Sequence, residues 1–334
     1  MRKGKVAENI VNRSVFKTIK YRDREYVEVA QPGDSVVTAE CQNVVSKATA
    51  GLMFSGDLWI GDELFLFDIR RAFFNALSNV VAEGGRPRAV LVSLYLPAKA
   101  QERDIKELMR YISSLAQENQ IDIAGGETEV TGNITSPVIS FTAMGPLATE
   151  VVADAKKLSE NMDIVMAGYS GIAGSVATAY LKIDELRERF SKTYLNQIFA
   201  QEKYMDMRNL VCAWNHGVRM MHDTSRGGVY GALFELSSKA KKGIRVELDM
   251  IPILQETVEV CELYDMNPYK LLSNGGMLMV AEHGEELCAF LEEQEIPAVV
   301  IGKLTEDNAK AVIKNGEISY IEPPRKDEIS LVLQ

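Results

Sequence analysis

The sequence predicts a soluble α/β (α+β) protein of two domains, and three observations carry that expectation. The chain has 334 residues, more than a single hydrophobic core usually organises. Strand-like and helix-like apolar patterns alternate through both halves. Between residues 147 and 158, just after Gly145-Pro146, that patterning lapses. The expected domains are therefore 1–150 and 151–334.

In the first half, 64–67 is a short apolar run. Helical spacing over 69–83 then lines up Ala72, Phe73, Ala76, Leu77, Val80 and Val81. Gly84-Gly85 and Pro87 end that helix, as glycine then proline should. The β-branched run 89–96 reads as a buried strand. Ile105, Leu108, Met109, Ile112 and Leu115 give 104–119 a helical face. Strand 121–124 runs into Gly125-Gly126, and strand 138–144 is closed by Gly145-Pro146. The second half repeats the logic. Strand 163–167 leads to the glycine-rich 168–175 and a helix from Ser175. A helical hairpin is expected over 185–216. Residues 222–228 open a helix over 229–241, and strands 245–248, 277–281 and 298–301 alternate with helices 257–264 and 285–294.

Composition narrows the function classes. Apolar residues make up 46% and charged residues 25%, the balance of a globular protein. No apolar run reaches the roughly 18 residues of a membrane span. The basic N-terminus has no apolar signal region, which points to the cytoplasm. Cys41, Cys212, Cys261 and Cys288 lie far apart without C-x-x-C, as expected of reduced thiols. A net charge of −10 argues against nucleic-acid or anionic-membrane partners. A polyphosphate ligand would then need Mg²⁺ or a local basic cluster. One such cluster is Arg2, Lys3, Lys5, Arg13, Lys17, Lys20, Arg22 and Arg24, read either as a solvated arm or as an arm that folds over phosphates.

Several segments could carry chemistry. There is no P-loop signature. Gly168 to Ser175 sits between a strand and a helix, where backbone N–H groups can meet an anion. Its spacing is not G-x-G-x-x-G, and a tight strand-to-helix turn is the favoured reading. In Asp223-Thr224-Ser225-Arg226-Gly227-Gly228, the first three residues offer N-caps and Arg226 can clamp an anion. His222 is either a base oriented by Asp223 or a packed histidine. Gly33-Asp34, Gly56-Asp57 and Gly126-Glu127 each place an acid beside glycine at a strand end, a position suited to Mg²⁺. Taken singly, each is also an ordinary turn residue or cap.

The order of Ser55-Gly56-Asp57, the helix from Asp68 to the Pro87 turn, Gly125-Gly126-Glu127-Thr128 and Asp223-Thr224-Ser225-Arg226-Gly227-Gly228 resembles one superfamily. It is that of aminoimidazole ribonucleotide (AIR) synthetase, thiamine-phosphate kinase, selenophosphate synthetase and the hydrogenase maturation protein HypE. The likeness is nearest to HypE and AIR-synthase-related proteins, and it runs from about Val15 to Pro324. It implies a PurM-like fold. Its N-terminal half would pair across a twofold axis into an intersubunit β-barrel in a homodimer, and its C-terminal half would be α/β. It also implies ATP and Mg²⁺ as cofactors, with Asp34, Asp57, Asn79 and Glu127 around the metal. Asp34, Asp57, Asn79, Gly125, Gly126, Glu127, Asp223, Arg226, Gly227 and Gly228 would form the nucleotide site, with Asp57, Glu127 and Asp223 catalytic.

The chain also departs from the pattern. Asp34 is followed by Ser35 where the family has a second acid, and Ser78-Asn79 replaces the family's Asn-Asp pair. Loss of carboxylates weakens the field that binds metal. No cysteine follows Cys288, so the HypE reaction is not expected. Nor is selenophosphate synthesis, because the N-terminal segment has no cysteine near a catalytic lysine. Three functions follow as expectations. One is an ATP-dependent enzyme activating an unidentified small acceptor by phosphoryl transfer. The second is a weakly nucleotide-binding or non-catalytic relative that acts through its dimer surface and protein partners. The third, implied by the resemblance alone, is a hydrogenase-maturation accessory protein that docks to a partner.

Overall fold

The computed structural model describes residues 4–5, 10, 13–21, 44–48, 61–148, 158–323 and 326–333. The chain forms two compact units, one of residues 1–80 with 85–148 and the other of 81–84 with 149–334.

The first unit contains strands β1 (Gly4–Lys5), β2 (Val44–Ala48), β3 (Ala89–Pro97), β4 (Asp122–Thr131) and β5 (Val138–Pro146), with helices α1 (Glu63–Ala82) and α2 (Glu102–Glu118). The five-stranded sheet has the order β1-β4-β3-β5-β2. Only the β3–β4 pair is parallel, and α2 is its crossover, as a parallel pair requires. Helix α1 starts earlier than its spacing predicts because 64–67 joins it. It closes where Gly84 takes φ 83° and the Gly85 N–H reaches the Val80 carbonyl at 2.9 Å, a left-handed helix end. Buried and open positions alternate on the sheet. Val90, Val92, Leu94 and Leu96 are buried, and Phe141 meets Phe73 of α1 edge-on at 5.6 Å. The cross-strand neighbours Tyr95 and Val138 are 36% and 41% exposed.

The second unit is a seven-stranded sheet of order β12-β11-β8-β10-β6-β9-β7. Its strands are β6 (Asp163–Gly168), β7 (Val218–Asp223), β8 (Gly243–Glu247), β9 (Gly276–Ala281), β10 (Ala298–Thr305), β11 (Lys310–Lys314) and β12 (Glu317–Tyr320). Helices α3 (Ile172–Leu181), α4 (Ile183–Arg187), α5 (Lys192–Ala200), α6 (Gly228–Ala240), α7 (Gln255–Leu263) and α8 (Gly284–Glu293) accompany them. β6 and β9 are covered on both faces. Ile164, Met166, Leu278 and Val280 join the core under α6. Val165, Ala167, Met277, Met279 and Ala281 join the core with Leu287 and Leu291 of α8. Two-sided burial is why these strands read as unbroken apolar runs.

Three expectations change here. The helical hairpin over 185–216 is instead α4, α5 and two 3-10 segments, Gln201–Met205 and Arg208–Asn215. The strand at 121–124 continues through the glycines to Thr131. The helix expected from Ser175 begins at Ile172. No described helix is long and apolar enough to cross a membrane. Cys261 is buried, and Cys212 and Cys288 are half-buried free thiols; burial pushes the pKa of the Cys261 thiol up to about 12. Cys41 lies outside the described residues.

Candidate functional site

In the first unit the Gly-Gly-Glu segment lies inside β4, which corrects the strand-end placement. The β3–β4 ladder shifts register between Val90 and Leu91, opposite Ile123 and Gly125. The shift leaves Ala124 as the extra residue, and just beyond it Gly126, paired with Val92, takes φ 147°, where a Cβ would sit 1.8 Å from the Val92 carbonyl oxygen. Only glycine fits such a close backbone approach. The residue after Gly126, Glu127, is exposed and accepts the Thr128 N–H at 3.2 Å. Glu127 forms no ion pair with a described residue. Asn79 stands in the last turns of α1 and is 9% exposed. Its Nδ2 donates to the Asn75 carbonyl at 2.9 Å, which leaves Oδ1 as the atom available to a cation. Asp34 and Asp57 lie outside the described residues. Among the described residues no three His, Cys, Asp or Glu side chains form a metal-sized cluster.

Part of the basic arm is also placed. Arg13 donates through Nε and Nη2 to the two carboxylate oxygens of Glu102, and this pairing holds the Glu102 carboxyl below its usual range. The Ser113 hydroxyl donates to the Thr18 carbonyl at 2.7 Å and accepts the Lys20 N–H at 3.1 Å. Residues 13–20 are thereby docked on α2. Arg2, Lys3, Arg22 and Arg24 lie outside the described residues, and of Lys5 only the backbone is described.

In the second unit the glycine-rich 168–174 is a filled turn. The N–H groups of Tyr169, Ser170, Ala173 and Gly174 donate to the carbonyls of Gly275, Pro252, Ser273 and Leu272 at 3.0, 2.8, 2.8 and 2.7 Å. The Gly171 N–H donates to the Ser273 hydroxyl at 2.8 Å. A Cβ at Gly168 would lie 2.1 Å from the Gly275 oxygen. These glycines admit neighbouring chain, so of the two readings the tight turn is the one that forms.

The Asp223–Gly228 segment ends β7 and opens α6. The expected N-caps are corrected here: the cap is Gly227 in left-handed backbone, with no side-chain cap of its own. Thr224 instead turns its hydroxyl to the Gly276 carbonyl at 3.0 Å. The acceptor at the cap is remote in sequence, since the Gly227 N–H donates to Asp327 Oδ2 at 2.7 Å. Gly228 is required by close approach, its Cβ position lying 2.5 Å from the Tyr269 oxygen. Asp223 is buried, at 7% exposure. Arg226 is exposed and forms no ion pair with a described residue.

His222 is not oriented by the Asp223 carboxylate. Its Nδ1 lies 2.8 Å from the Asp223 main-chain oxygen, and its Nε2 lies 3.2 Å from Glu235 on α6. Burial alone would lower its pKa, but the Glu235 hydrogen bond and the Asp223 charge together leave it above the ordinary histidine value. Glu235 and Asp327 were not among the residues expected from sequence. A signal for Asp327 was present, because an Asp-Glu pair shortly after Pro323-Pro324 can cap a helical turn.

The chain matches the models of both domains of AIR synthase related protein, the N-terminal domain over residues 70–147 and the C-terminal domain over 160–315. A hydrogenase expression/formation protein of Methanocaldococcus jannaschii is 24% identical over 252 residues, covering 73% of this chain and 72% of the relative. The fold is similar to E. coli HypE, a hydrogenase maturation protein, with TM-score 0.74 and 17% identity over 98% of this chain and all of that one. It is likewise similar to a HypE solved in complex with ATP, with TM-score 0.71 and 13% identity over 96% of this chain and 95% of that one. Both halves of the family pattern are thus present on one two-unit, PurM-like α/β fold, and the chain belongs to the AIR synthase related family.

Proposed function

We propose that this chain binds ATP with Mg²⁺ and uses it to activate a small acceptor through an oxygen that receives a phosphoryl group. The observation that carries the reading is Glu127. It directly follows Gly126, a position that only glycine fits, and its exposed side chain has no cationic partner among the described residues. Such a group suits Mg²⁺, which takes one or two carboxylates and keeps several waters. In the first unit Glu127, Asp57, Asp34 and the Asn79 oxygen would hold the metal, with Gly125 and Gly126 shaping the strand beneath it. Bound metal would supply charge neutralisation at the phosphates. In the second unit Arg226 is the residue suited to a phosphate, and Asp223, Gly227 and Gly228 set the turn that carries it. A HypE of the same fold has been solved with ATP, which supports the choice of nucleotide. Asp57, Glu127 and Asp223 would be the catalytic acids, a cytoplasmic homodimer would be the working form, and 1–150 would be the ATP- and Mg²⁺-binding domain. The exposed Tyr95 and Val138 pair supports pairing of that sheet with a second copy.

A second reading is favoured by Asn79. Its amide is committed to Asn75 and brings no charge to a metal, as expected of a relative that binds nucleotide weakly and acts through protein partners. Titration of ATP into the protein with and without Mg²⁺ separates the two. Micromolar, Mg²⁺-dependent binding supports the first, and absence of heat in both conditions supports the second.

A further inference from the structure

The outer edge of the second-unit sheet takes no part in the nucleotide reading. There β11 and β12 form a tight hairpin, with Lys314 paired to Glu317 across Asn315 and Gly316. Those two turn residues have φ 51° and 80°, the left-handed pair of a two-residue type I′ turn. At the far end the Ile321 N–H donates to the Lys310 carbonyl at 2.8 Å. Inward and outward main-chain groups alternate along an antiparallel strand. Glu317, Ser319 and Ile321 therefore bond to β11, and Ile318 and Tyr320 turn their N–H and C=O groups to the open side.

β12 ends the sheet order, and among the described residues no hydrogen bond takes up those outward groups. Ile318 and Tyr320 are also the most exposed large apolar side chains described, at 55% and 66%. Lying two positions apart, they share one face of the strand. Natural sheet edges are commonly blunted by proline, lysine or a bulge. β12 has none of these: it reads Glu-Ile-Ser-Tyr, and its register with β11 is unbroken. Beyond Tyr320 the chain leaves the edge, because Ile321 is buried in the core under α6.

We propose that β12 pairs with β12 of a second copy of this chain, antiparallel across a twofold axis. Outward N–H groups must meet outward carbonyls, which restricts the register. With Ile318 of each copy opposite Tyr320 of the other, both residues exchange N–H···O bonds and form apolar cross-strand pairs. Ser319 then lies on the axis, opposite itself. Glu317 falls opposite Ile321 and Glu322 opposite Gly316, so no like charges meet. The strand is thus complementary to itself, as a twofold contact requires. So short a strand makes a contact below the roughly 1,000 Å² of a stable interface, so the pairing is weak and sets in with concentration. It stands apart from the homodimer proposed for the first unit, because β12 belongs to the second.

The test is disulfide trapping on the concentrated full chain with diamide as oxidant, read on non-reducing gels. Ser319→Cys should cross-link into dimers, because facing residues of a non-hydrogen-bonded pair have Cα atoms about 4.5 Å apart, within disulfide reach. Glu317→Cys lies on the same face but roughly 13 Å along the strand from its own copy, and it should not. Wild type, with its native cysteines, gives the background. Tyr320→Pro removes an outward N–H and leaves the bonds to β11 in place, at an edge position where proline is tolerated. Added to Ser319→Cys, it should abolish the cross-link. The cross-link should persist with Val138→Lys, which charges the first-unit sheet, so failure of that dimer and of this one are separate results. Hydrogen exchange on wild type needs no variant to fold: the Ile318 and Tyr320 amides should slow as concentration rises, while Met279 in β9 stays unchanged. No trapping of Ser319→Cys above background, equal trapping of Glu317→Cys, or trapping that survives Tyr320→Pro would overturn the proposal. Loss of trapping with Val138→Lys, or exchange at Ile318 and Tyr320 independent of concentration, would overturn it as well and leave the edge to a different chain.

Discussion

Replacing Gly126 by alanine tests the close β3–β4 approach that immediately precedes Glu127. The added Cβ would lie 1.8 Å from the Val92 oxygen, 2.5 Å from its carbonyl carbon and 2.8 Å from its nitrogen. All three are backbone atoms of the adjacent β3, so no side chain can rotate away. Relief requires β3 and β4 to shift apart. Overpacking costs about 1–3 kcal/mol, and a disallowed backbone conformation costs a further 1–3 kcal/mol or so. The expected loss is thus about 4 kcal/mol, a large share of the roughly 5–15 kcal/mol that holds a domain folded. Gly61 provides the control in the same unit. It also has positive φ, 107°, but a Cβ there meets no described atom within 4 Å, so its alanine variant should lose only about 1 kcal/mol. Urea unfolding of both variants, followed by a probe in the first unit, gives the comparison. A Gly126→Ala midpoint equal to that of Gly61→Ala would refute the steric argument and remove the reason for Glu127's placement.

Two further outcomes follow from the site. Burial pulls the His222 pKa down, but Glu235 and Asp223 more than offset it and leave the value raised. That pairing therefore adds stability fully below about pH 6.5 and loses it as pH rises through the raised pKa. Glu235→Gln should be less stable than wild type in mild acid and converge with it in alkali, and a pH-independent gap in urea midpoints would contradict the pairing. Asn79→Asp restores an acid on α1 but removes the amide donor to Asn75. It should tighten Mg²⁺-dependent ATP binding by calorimetry at a cost of about 1–2 kcal/mol in stability, and unchanged affinity would place Asn79 outside the metal site.

Most of the framework was legible because it follows from periodicity. The all-buried β9 and the amphipathic α2 announce themselves through apolar spacing, and Gly84 with Pro87 marks the end of α1. What escaped depends on contacts distant in sequence. Nothing local shows that Gly126 faces the Val92 carbonyl, so a close approach inside a strand looked like a strand end. Ser225 and Thr224 resembled caps, yet the acceptor at Gly227 comes from Asp327, 100 positions away. The segment 185–216 carries helical spacing but folds partly as 3-10 turns, since apolar residues such as Leu210, Ala213 and Trp214 satisfy either period over one or two turns. For the candidate site, the order of motifs was readable, while the hydrogen-bond traffic that fills the glycine turns was not.

The central claim is tested most directly by calorimetric titration of ATP into wild type and Glu127→Gln, each with and without Mg²⁺. Micromolar binding by wild type only when Mg²⁺ is present, and its loss in Glu127→Gln with an unchanged urea midpoint, is the result expected. Equal binding by both proteins, or no heat from wild type in either condition, would contradict it.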